Sequence, residues 1–283
     1  MNHATCAQAL LAAKTLGLER LDAQLLLLHA LGKPSDARAW LLAHDTDLLS
    51  DEVAQRYLAL SLRRASGEPL AYIVGYKEFF GLTLQVDARV LVPRPDTETL
   101  VQWSLDLLQD PGMPPAPRIL DLGTGSGAVA LAIAHGLQAE GRQGQIVAVD
   151  ASTDALSVAR DNAQRLALDL TFLQSSWLQQ VRGLFHLIAS NPPYIASADP
   201  HLPALVHEPL EALTAGIDGL DDLRQITRQA PAHLQPGGWL LLEHGYDQAE
   251  AVRQLLAEQG FVQVQSRRDL AGIERCSGGQ WPA

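Results

Sequence analysis

Four consecutive residues, Asn191-Pro192-Pro193-Tyr194, place an amide, two prolines and an aromatic ring directly after a short apolar run. The run at 185–190 predicts a buried strand. The two prolines remove two N–H donors and fix φ, and Pro192 keeps Asn191 out of the helical region. The strand must therefore end in a stiff corner. In an open α/β sheet, ligands bind at the edge where such strands end.

This corner suits the gripping of a planar NH2 group. The nitrogen of an amide or arylamine is a poor nucleophile, because its lone pair is delocalised into the adjacent π system. The side-chain carbonyl of Asn191 and the backbone carbonyl of Pro192 can accept its two N–H bonds. The ring of Tyr194 can stack on a planar amide or base. The alternative interpretation is a strand-ending turn with a buried tyrosine.

A glycine-rich segment, Asp121-Leu122-Gly123-Thr124-Gly125-Ser126-Gly127, follows another predicted strand. Glycines at alternate positions let the backbone turn tightly and approach a ligand closely. The spacing also fits the dinucleotide template Gly-x-Gly-x-x-Ala from Gly123 onward, although one such match is weak evidence. Asp121 would repel a pyrophosphate, but its carboxylate can serve the ammonium group of an amino-acid cofactor.

Asp150 ends the next predicted strand, at the place where an acid binds ribose hydroxyls. NAD and S-adenosylmethionine (SAM) both satisfy that acid, and the alternative for Asp150 is a helix N-cap region. The Asn-Pro-Pro-Tyr corner favours SAM, because it has a role in methyl transfer to nitrogen and none in hydride transfer. Trp177, in the loop after the following strand, could cover an adenine ring or belong to the core.

A parallel sheet is needed to bring these residues together. From Arg118 onward the pattern alternates strands with helices, which predicts an α/β fold. We predict strands at 118–122, 145–150, 170–174, 185–190, 238–243 and 261–265, and helices at 127–139, 153–167, 219–234 and 247–259. The domains are predicted as a helical domain for partner docking at 1–66, a linker with a β-hairpin at 67–89, and the domain that holds the site at 90–283.

The composition limits the possible partners. The 283 residues carry a net charge of −11, and no basic run is longer than two residues, which disfavours nucleic acid. The two cysteines, Cys6 and Cys276, give no metal or disulfide spacing, so a reducing cytosol fits best. No apolar stretch is long enough to span a bilayer. We predict a cytoplasmic monomer with no metal.

Together, the glycine segment, Asp150 and the Asn-Pro-Pro-Tyr corner resemble the class I SAM-dependent amino-methyltransferases. Nearly the whole chain is similar to the protein-(glutamine-N5) methyltransferases of the HemK/PrmC type. The supporting segments are Gly67-Glu68-Pro69-Leu70-Ala71-Tyr72, Val90-Leu91-Val92-Pro93-Arg94-Pro95-Asp96-Thr97-Glu98 and Arg268-Asp269-Leu270-Ala271-Gly272. The resemblance implies a Rossmann-like, seven-stranded, mostly parallel sheet with a small N-terminal helical bundle and a β-hairpin linker.

The same resemblance implies a reaction. A methyl group would pass from SAM to the side-chain nitrogen N5 of the glutamine in the Gly-Gly-Gln motif of class 1 peptide chain release factors. It implies that Gly123–Gly127, Asp150, Trp177 and Asn191 contact SAM, and that Asn191–Tyr194 hold the glutamine.

Two positions depart from the family pattern. Ser176 stands where an aspartate commonly precedes the tryptophan, and His186 stands near the start of the predicted strand 185–190, where Phe-Asp is usual. The segment Gly278-Gly279-Gln280 matches the substrate motif, and we attribute this to chance. Arg94 fits either a solvated turn or a ligand contact. His207 and Glu208 are expected to structure a loop rather than to act as acid and base.

Three other functions stay open from the residues alone. N6-adenine or N2-guanine methylation of nucleic acid would use a similar planar amine on a flipped base, although the acidic charge argues against it. A non-catalytic SAM-binding protein would not need an intact Asn-Pro-Pro-Tyr corner. An NAD-dependent dehydrogenase would be separated by which cofactor binds.

Overall fold

The computed structural model describes residues 4–282 and divides the chain into two compact units, one up to Tyr76 and one from Lys77 onward. The described part of the first unit is helical. Its helices are α1 (Cys6–Thr15), α2 (Arg20–Ala30), α3 (Arg38–Ala43), α4 (Asp51–Ala65) and α5 (Leu70–Val74). They enclose a core that includes Leu26, Leu27 and Tyr57. The Tyr57 hydroxyl donates to the backbone carbonyl of Ala23 at 3.2 Å, which ties α4 to α2.

The helical region continues beyond the predicted boundary at residue 66. Pro69 stands at the N-cap of α5 with extended backbone, and Gly75 ends the helix at φ +87°. Proline is compatible with the start of a helix, because the first turn does not use its missing N–H. Gly67-Glu68-Pro69 therefore separates two helices instead of ending the helical region.

The second unit contains the large sheet, and β1 of its hairpin begins at the junction. Its strands are β1 (Tyr76–Phe79), β2 (Leu82–Gln85), β3 (Arg118–Leu122), β4 (Gln145–Asp150), β5 (Thr171–Gln174), β6 (Phe185–Ser190), β7 (Leu234–Glu243), β8 (Val262–Arg268) and β9 (Glu274–Gln280). Its helices are α6 (Glu98–Leu108), α7 (Ala128–Ala139), α8 (Thr153–Leu166), α9 (Asp221–Gln229) and α10 (Ala249–Glu258).

The seven-stranded sheet has the order β5-β4-β3-β6-β7-β9-β8, with β9 antiparallel to both of its neighbours. The chain runs outward from β3 in one direction and resumes at β6 on its other side, so the crevice between β3 and β6 is a topological switch point. Leu122 pairs with Ser190 there, and the Ser190 hydroxyl donates to the Leu122 carbonyl at 2.7 Å. The predicted class I methyltransferase fold, with its mostly parallel sheet, helical N-terminal region and hairpin, is confirmed.

Side chains alternate between two buried layers along the central strands. Ile119 and Leu241 pack in a cluster with residues of α6 and α7, whereas Leu120 and Leu240 pack with residues of α9 and α10. Successive residues of a strand point to opposite faces of the sheet. Both faces are covered, which explains the continuous apolar runs in the sequence.

Three predicted strands, 118–122, 145–150 and 185–190, have the bounds that the structure gives them. The helix predicted at 219–234 is shorter, because α9 ends at Gln229 and a 3₁₀ turn, Ala230–His233, follows with Pro231 near its start. None of the predicted strands corresponds to β9. Among the described helices, none is long and apolar enough to cross a membrane.

Candidate active site

A cleft that is partly open to solvent lies where β3, β4 and β6 end. The structure brings six of the predicted site residues into its lining. These are Gly123, Gly125, Asp150, Trp177, Asn191 and Pro193.

Bare backbone forms one wall of the cleft. Gly123 has φ +71° and Gly125 has φ +54°, a region that residues with a side chain rarely adopt. A Cβ added at Gly123 would lie 3.4 Å from the indole ring of Trp177, whereas one added at Gly125 would meet nothing within 4 Å. The turn thus brings the main chain up to the cleft, and the space above Gly125 is available to a ligand.

The carboxylate of Asp150 holds the turn and faces the cleft. Its Oδ2 accepts from the backbone N–H of Gly125 at 2.9 Å, and its Oδ1 accepts from that of Ser152 at 2.9 Å. Burial raises the pKa of Asp150, and these hydrogen bonds act against that rise. Each carboxylate oxygen has a second lone pair. Two acceptor positions are therefore available for the hydroxyls of a ribose.

Trp177 is held in place by a hydrogen bond across the cleft. Its indole Nε1 donates to the carboxylate of Asp222 in α9 at 3.0 Å. The residue has φ +49°, which is uncommon for a residue with a large side chain. The ring therefore has a fixed orientation beside the glycine turn. Ser176, at the position where the family commonly has an aspartate, also lines the cleft.

Asp121 lies beneath the glycine turn and is outside the lining of the cleft. It is 1% exposed, and its Oδ2 accepts from the Thr124 hydroxyl at 2.7 Å and from the backbone N–H of Ala130 at 3.2 Å. Burial raises the pKa of Asp121 to about 7. The carboxyl group thus joins the end of β3 to the start of α7.

Ser126 and Gly127 shape the same turn from within and also lie outside the lining. The Ser126 carbonyl accepts from the side-chain amide of Asn162 at 2.9 Å. Gly127 has φ +86°, and a Cβ there would lie 2.8 Å from the side chain of Leu131. Glycine is required at this position by both its conformation and the close packing of α7.

The side-chain amide of Asn191 has a defined anchor. Its Nδ2 donates to the hydroxyl of Thr97 at 3.1 Å. Because the nitrogen is committed to Thr97, the carbonyl oxygen of the same amide is the atom that can accept from a ligand. Pro192 is buried behind the corner, and Pro193 lines the cleft.

Tyr194 lies behind the corner, with its hydroxyl donating to Oε1 of Glu243 at 3.3 Å. Burial, followed by the charge of Glu243, raises the pKa of Tyr194, so the phenol stays protonated. The backbone carbonyl of Tyr194 accepts from Nε2 of Gln248 at 3.0 Å. Glu243 belongs to none of the sequence motifs described above. The signal that could have found it is its position as an acid ending a buried strand, like Asp150.

Arg94 has a partner that neither sequence interpretation included. Its guanidinium pairs with the carboxylate of Glu208, whose side chain is 3% exposed. Glu208 also accepts from the backbone N–H of Val92 at 3.1 Å. The Pro-Arg-Pro segment is thus fastened to the long loop that follows the Asn-Pro-Pro-Tyr corner.

Two other sequence features lie in the sheet itself. His186 is near the start of β6, where its Nδ1 accepts from the backbone N–H of Arg118 at 3.0 Å, far along the strand from Asn191. Gln280 is the last residue of β9, and its Nε2 donates to the Gly237 carbonyl at 2.9 Å. The Gly-Gly-Gln segment is therefore part of a strand, with its amide hydrogen-bonded.

Comparison with known proteins identifies the family to which this chain belongs. Residues 4–75 match the PrmC N-terminal domain, and residues 104–216 match the methyltransferase small domain. A release factor glutamine methyltransferase from Bordetella pertussis is 48% identical over 267 residues, which cover 93% of this chain and 95% of the relative. The chain belongs to the release factor glutamine methyltransferase family. A member from Xylella fastidiosa is 46% identical and covers 97% of this chain and 98% of its own.

A solved structure agrees on the fold. A methyltransferase from Pyrococcus furiosus superposes with a TM-score of 0.53 at 19% identity, over 72% of this chain and 91% of its own. Membership of the family makes the chain a SAM-dependent protein-glutamine N-methyltransferase.

Proposed function

We propose that this chain methylates the side-chain nitrogen N5 of the glutamine in the Gly-Gly-Gln motif of class 1 peptide chain release factors. Family membership supports the substrate class. The single observation that carries the residue assignment is the amide of Asn191. It lies at the edge of the SAM cleft with its nitrogen bound to Thr97, so that its oxygen can accept from an incoming NH2 group.

The residues of the cleft fit SAM. The main chain at Gly123 and Gly125 gives close approach, and the two oxygens of Asp150 can accept from ribose hydroxyls. The fixed ring of Trp177 offers a flat apolar face beside them. When bound, SAM supplies an electrophilic methyl group on a positively charged sulfur.

The glutamine amide is held by two acceptors in this proposal. One of its N–H bonds goes to the side-chain oxygen of Asn191 and the other to the backbone carbonyl of Pro192. Tyr194 limits the movement of the amide plane. The site would accelerate the reaction by holding the nitrogen in line with the methyl group. Proximity and orientation of this kind lower the activation free energy by up to about 7–11 kcal/mol in favourable cases. Neither acceptor is basic, so the product loses its extra proton to water.

The buried residues of the turn have a supporting role in the proposal. For Asp121, the hydrogen bonds to Thr124 and Ala130 favour holding the turn over a direct contact with the ammonium group of SAM. Ser126 and Gly127 are proposed to act in the same way, through packing beneath the cleft.

One assay tests the reaction and the assignment together. The chain is incubated with methyl-labelled SAM and a purified release factor, and with the same factor in which the motif glutamine is replaced by alanine. Label should enter the first factor only. Asn191→Ala should lower kcat by roughly 100-fold or more, with the Kd of SAM changed by no more than about threefold. Normal turnover by Asn191→Ala at saturating substrates would contradict the assigned role.

The remaining expectations about partners belong to the same proposal. We expect the chain to act as a cytoplasmic monomer and to bind no nucleic acid, in keeping with its net charge of −11. RNA and DNA oligonucleotides added to the assay should not be labelled. Labelling of either that falls steeply with salt would favour the nucleic-acid alternative.

A further inference from the structure

Glu243 is a fully buried acid at the end of β7, directly behind the Asn-Pro-Pro-Tyr corner. Two hydroxyls meet its carboxyl group. The Tyr194 hydroxyl donates to Oε1 at 3.3 Å. The Thr97 hydroxyl interacts with the same carboxyl group and lowers its pKa, and Oε2 has no other hydrogen-bond partner among the described residues. Buried acids are uncommon and need such neighbours.

Thr97 connects this acid to the site. Its side-chain oxygen accepts from Nδ2 of Asn191 at 3.1 Å, and Thr97 itself is 3% exposed. A chain of three polar groups therefore runs from the edge of the cleft inward, through Asn191 and Thr97 to Glu243. Thr97 and Glu243 are buried, so water does not compete for the inner part of this chain.

The terminal group fixes the direction of this chain. An ionised carboxylate only accepts hydrogen bonds. A Thr97 hydroxyl that donates to Glu243 offers only lone pairs to its other neighbour, so the amide of Asn191 must present its nitrogen to Thr97. The amide oxygen is then the atom left for the substrate. In the opposite orientation, the amide of Asn191 would present its own NH2 group to the NH2 group of the glutamine. Two donors do not form a hydrogen bond with each other, so the glutamine would not be held.

We propose that Glu243 is a positioning residue for methyl transfer, which through Thr97 holds the amide of Asn191 with its oxygen toward the substrate nitrogen and through Tyr194 holds the corner in place. The inference rests on the proposed function and adds a residue that touches neither substrate nor cofactor.

The charges around Glu243 make the device sensitive to pH. The pKa of Glu243 is raised to about 7, chiefly by burial and to a smaller extent by the charge of Asp96, against the hydrogen bonds of Thr97 and Tyr194 and the charge of Arg275, which lower it. The neighbouring thiol of Cys276, opposite on β9, stays neutral because burial raises its pKa. When the pH falls through about 7, the carboxyl group of Glu243 gains a proton and can donate a hydrogen bond. The direction of the hydrogen bonds from Glu243 through Thr97 to Asn191 is then no longer fixed.

The test is Glu243→Gln, which keeps the shape and supplies an NH2 group that can donate to Thr97. We expect kcat to fall about tenfold or more, while the KM for the release factor and the Kd of SAM change by less than about threefold. The fall of wild-type kcat below pH 7 should be weaker in the variant. Because the pKa of Asp121 is also raised to about 7, the quantity to compare is the difference between the pH profile of kcat for the wild type and that for Glu243→Gln.

Two variants of Thr97 show whether the effect passes through its hydroxyl. Thr97→Val should lower kcat alone, and adding Glu243→Gln to it should cause a smaller further loss than Glu243→Gln causes in the wild type, because linked groups are non-additive. Thr97→Ser should keep near-normal kcat. If Glu243→Gln does not fold, Thr97→Val decides by itself, and an unchanged kcat overturns the inference.

The outcomes separate the two proposals. If Asn191→Ala lowers kcat but Glu243→Gln keeps it within about threefold of the wild type, only the positioning role is overturned. The same holds if both kcat and its pH profile are equal in wild type and variant. If Asn191→Ala itself retains turnover, the proposed site is wrong and not merely its support.

Discussion

Gly219 offers a sharp test of how the Asn-Pro-Pro-Tyr corner is held. It has φ +73°, and a Cβ built on it would lie 2.2 Å from the backbone oxygen of Tyr194 and 2.9 Å from Nε2 of Gln248. That same oxygen accepts the hydrogen bond from Gln248 at 3.0 Å. In Gly219→Ala the main chain must move, because a backbone atom cannot rotate out of the way. The carbonyl of Tyr194 should therefore shift with the corner.

The expected loss of stability has two parts. A side chain at positive φ costs about 1–2 kcal/mol. The forced contact with Tyr194 adds about 1–3 kcal/mol, as overpacking of a close-packed site does. Gly141→Ala is the matched control, because Gly141 has φ +67° with nothing within 4 Å of its added Cβ. It should lose the first part only.

Urea unfolding followed by tryptophan fluorescence measures the difference. The five tryptophans include Trp40 in the first unit and four in the second. A Trp40→Phe background restricts the signal to the unit that holds Gly219. We expect Gly219→Ala to unfold more easily than Gly141→Ala by about 1–3 kcal/mol. Its kcat should also fall by roughly tenfold or more, since small displacements of a catalytic group are costly.

One pattern of results would refute this reasoning. If the two alanine variants lost the same free energy of unfolding and Gly219→Ala kept its kcat, the contact with Tyr194 would not hold the corner. Loss of stability without loss of kcat would show that the movement is absorbed by the loop around Gly219 instead.

Three further predictions follow from the site. Asp150→Asn should raise the Kd of SAM about 10–100-fold, because a hydrogen bond to a charged acceptor contributes about 1.5–3 kcal/mol. Calorimetry measures the Kd. The control is Asp154→Asn, in the first turn of the next helix, which should leave the Kd unchanged. Burial raises the pKa of Asp121 from its ordinary 3.8 to about 7, so its contribution to stability is full at low pH and is lost as pH rises through 7. In Asp121→Asn, urea midpoints measured from pH 5 to 8 should decline less steeply, and an identical decline would argue against a buried carboxyl. Gln280, whose amide is bound to Gly237 within the sheet, should gain no methyl group when the chain is incubated with SAM alone, as peptide mass mapping would show.

Local patterns predicted the centre of the fold well, because the central strands are apolar on both faces and end in distinctive residues. The bounds of β3, β4 and β6 follow from this, and so does the meeting of their ends at one edge. Strand β9 is different. A Cβ at Gly278 would lie 2.8 Å from the backbone oxygen of Leu240, so glycine is required there by close packing against β7. In a local sequence pattern, such a glycine indicates the end of a strand.

The residues of the candidate site also differ in how well the sequence predicts them. Gly123, Gly125, Asp150 and Asn191 could be predicted, because the residue types and their order in the chain indicate the chemistry. The support behind them could not. Glu243 acts through residues far away in sequence, and no short pattern joins them. Long-range pairings of this kind depend on the tertiary structure, which composition and spacing do not specify.

The position of β9 between β7 and β8 has a consequence for the kinetics of folding. Strand β8 is made first, yet it reaches the sheet only through a strand that follows it in the chain. The two strands must therefore form their hairpin before either can dock, or β9 must add to β7 and then recruit β8. In both routes the sheet cannot grow in the order of synthesis. Until β9 arrives, the edge of β7 has unpaired backbone groups that a second unfolded chain could occupy.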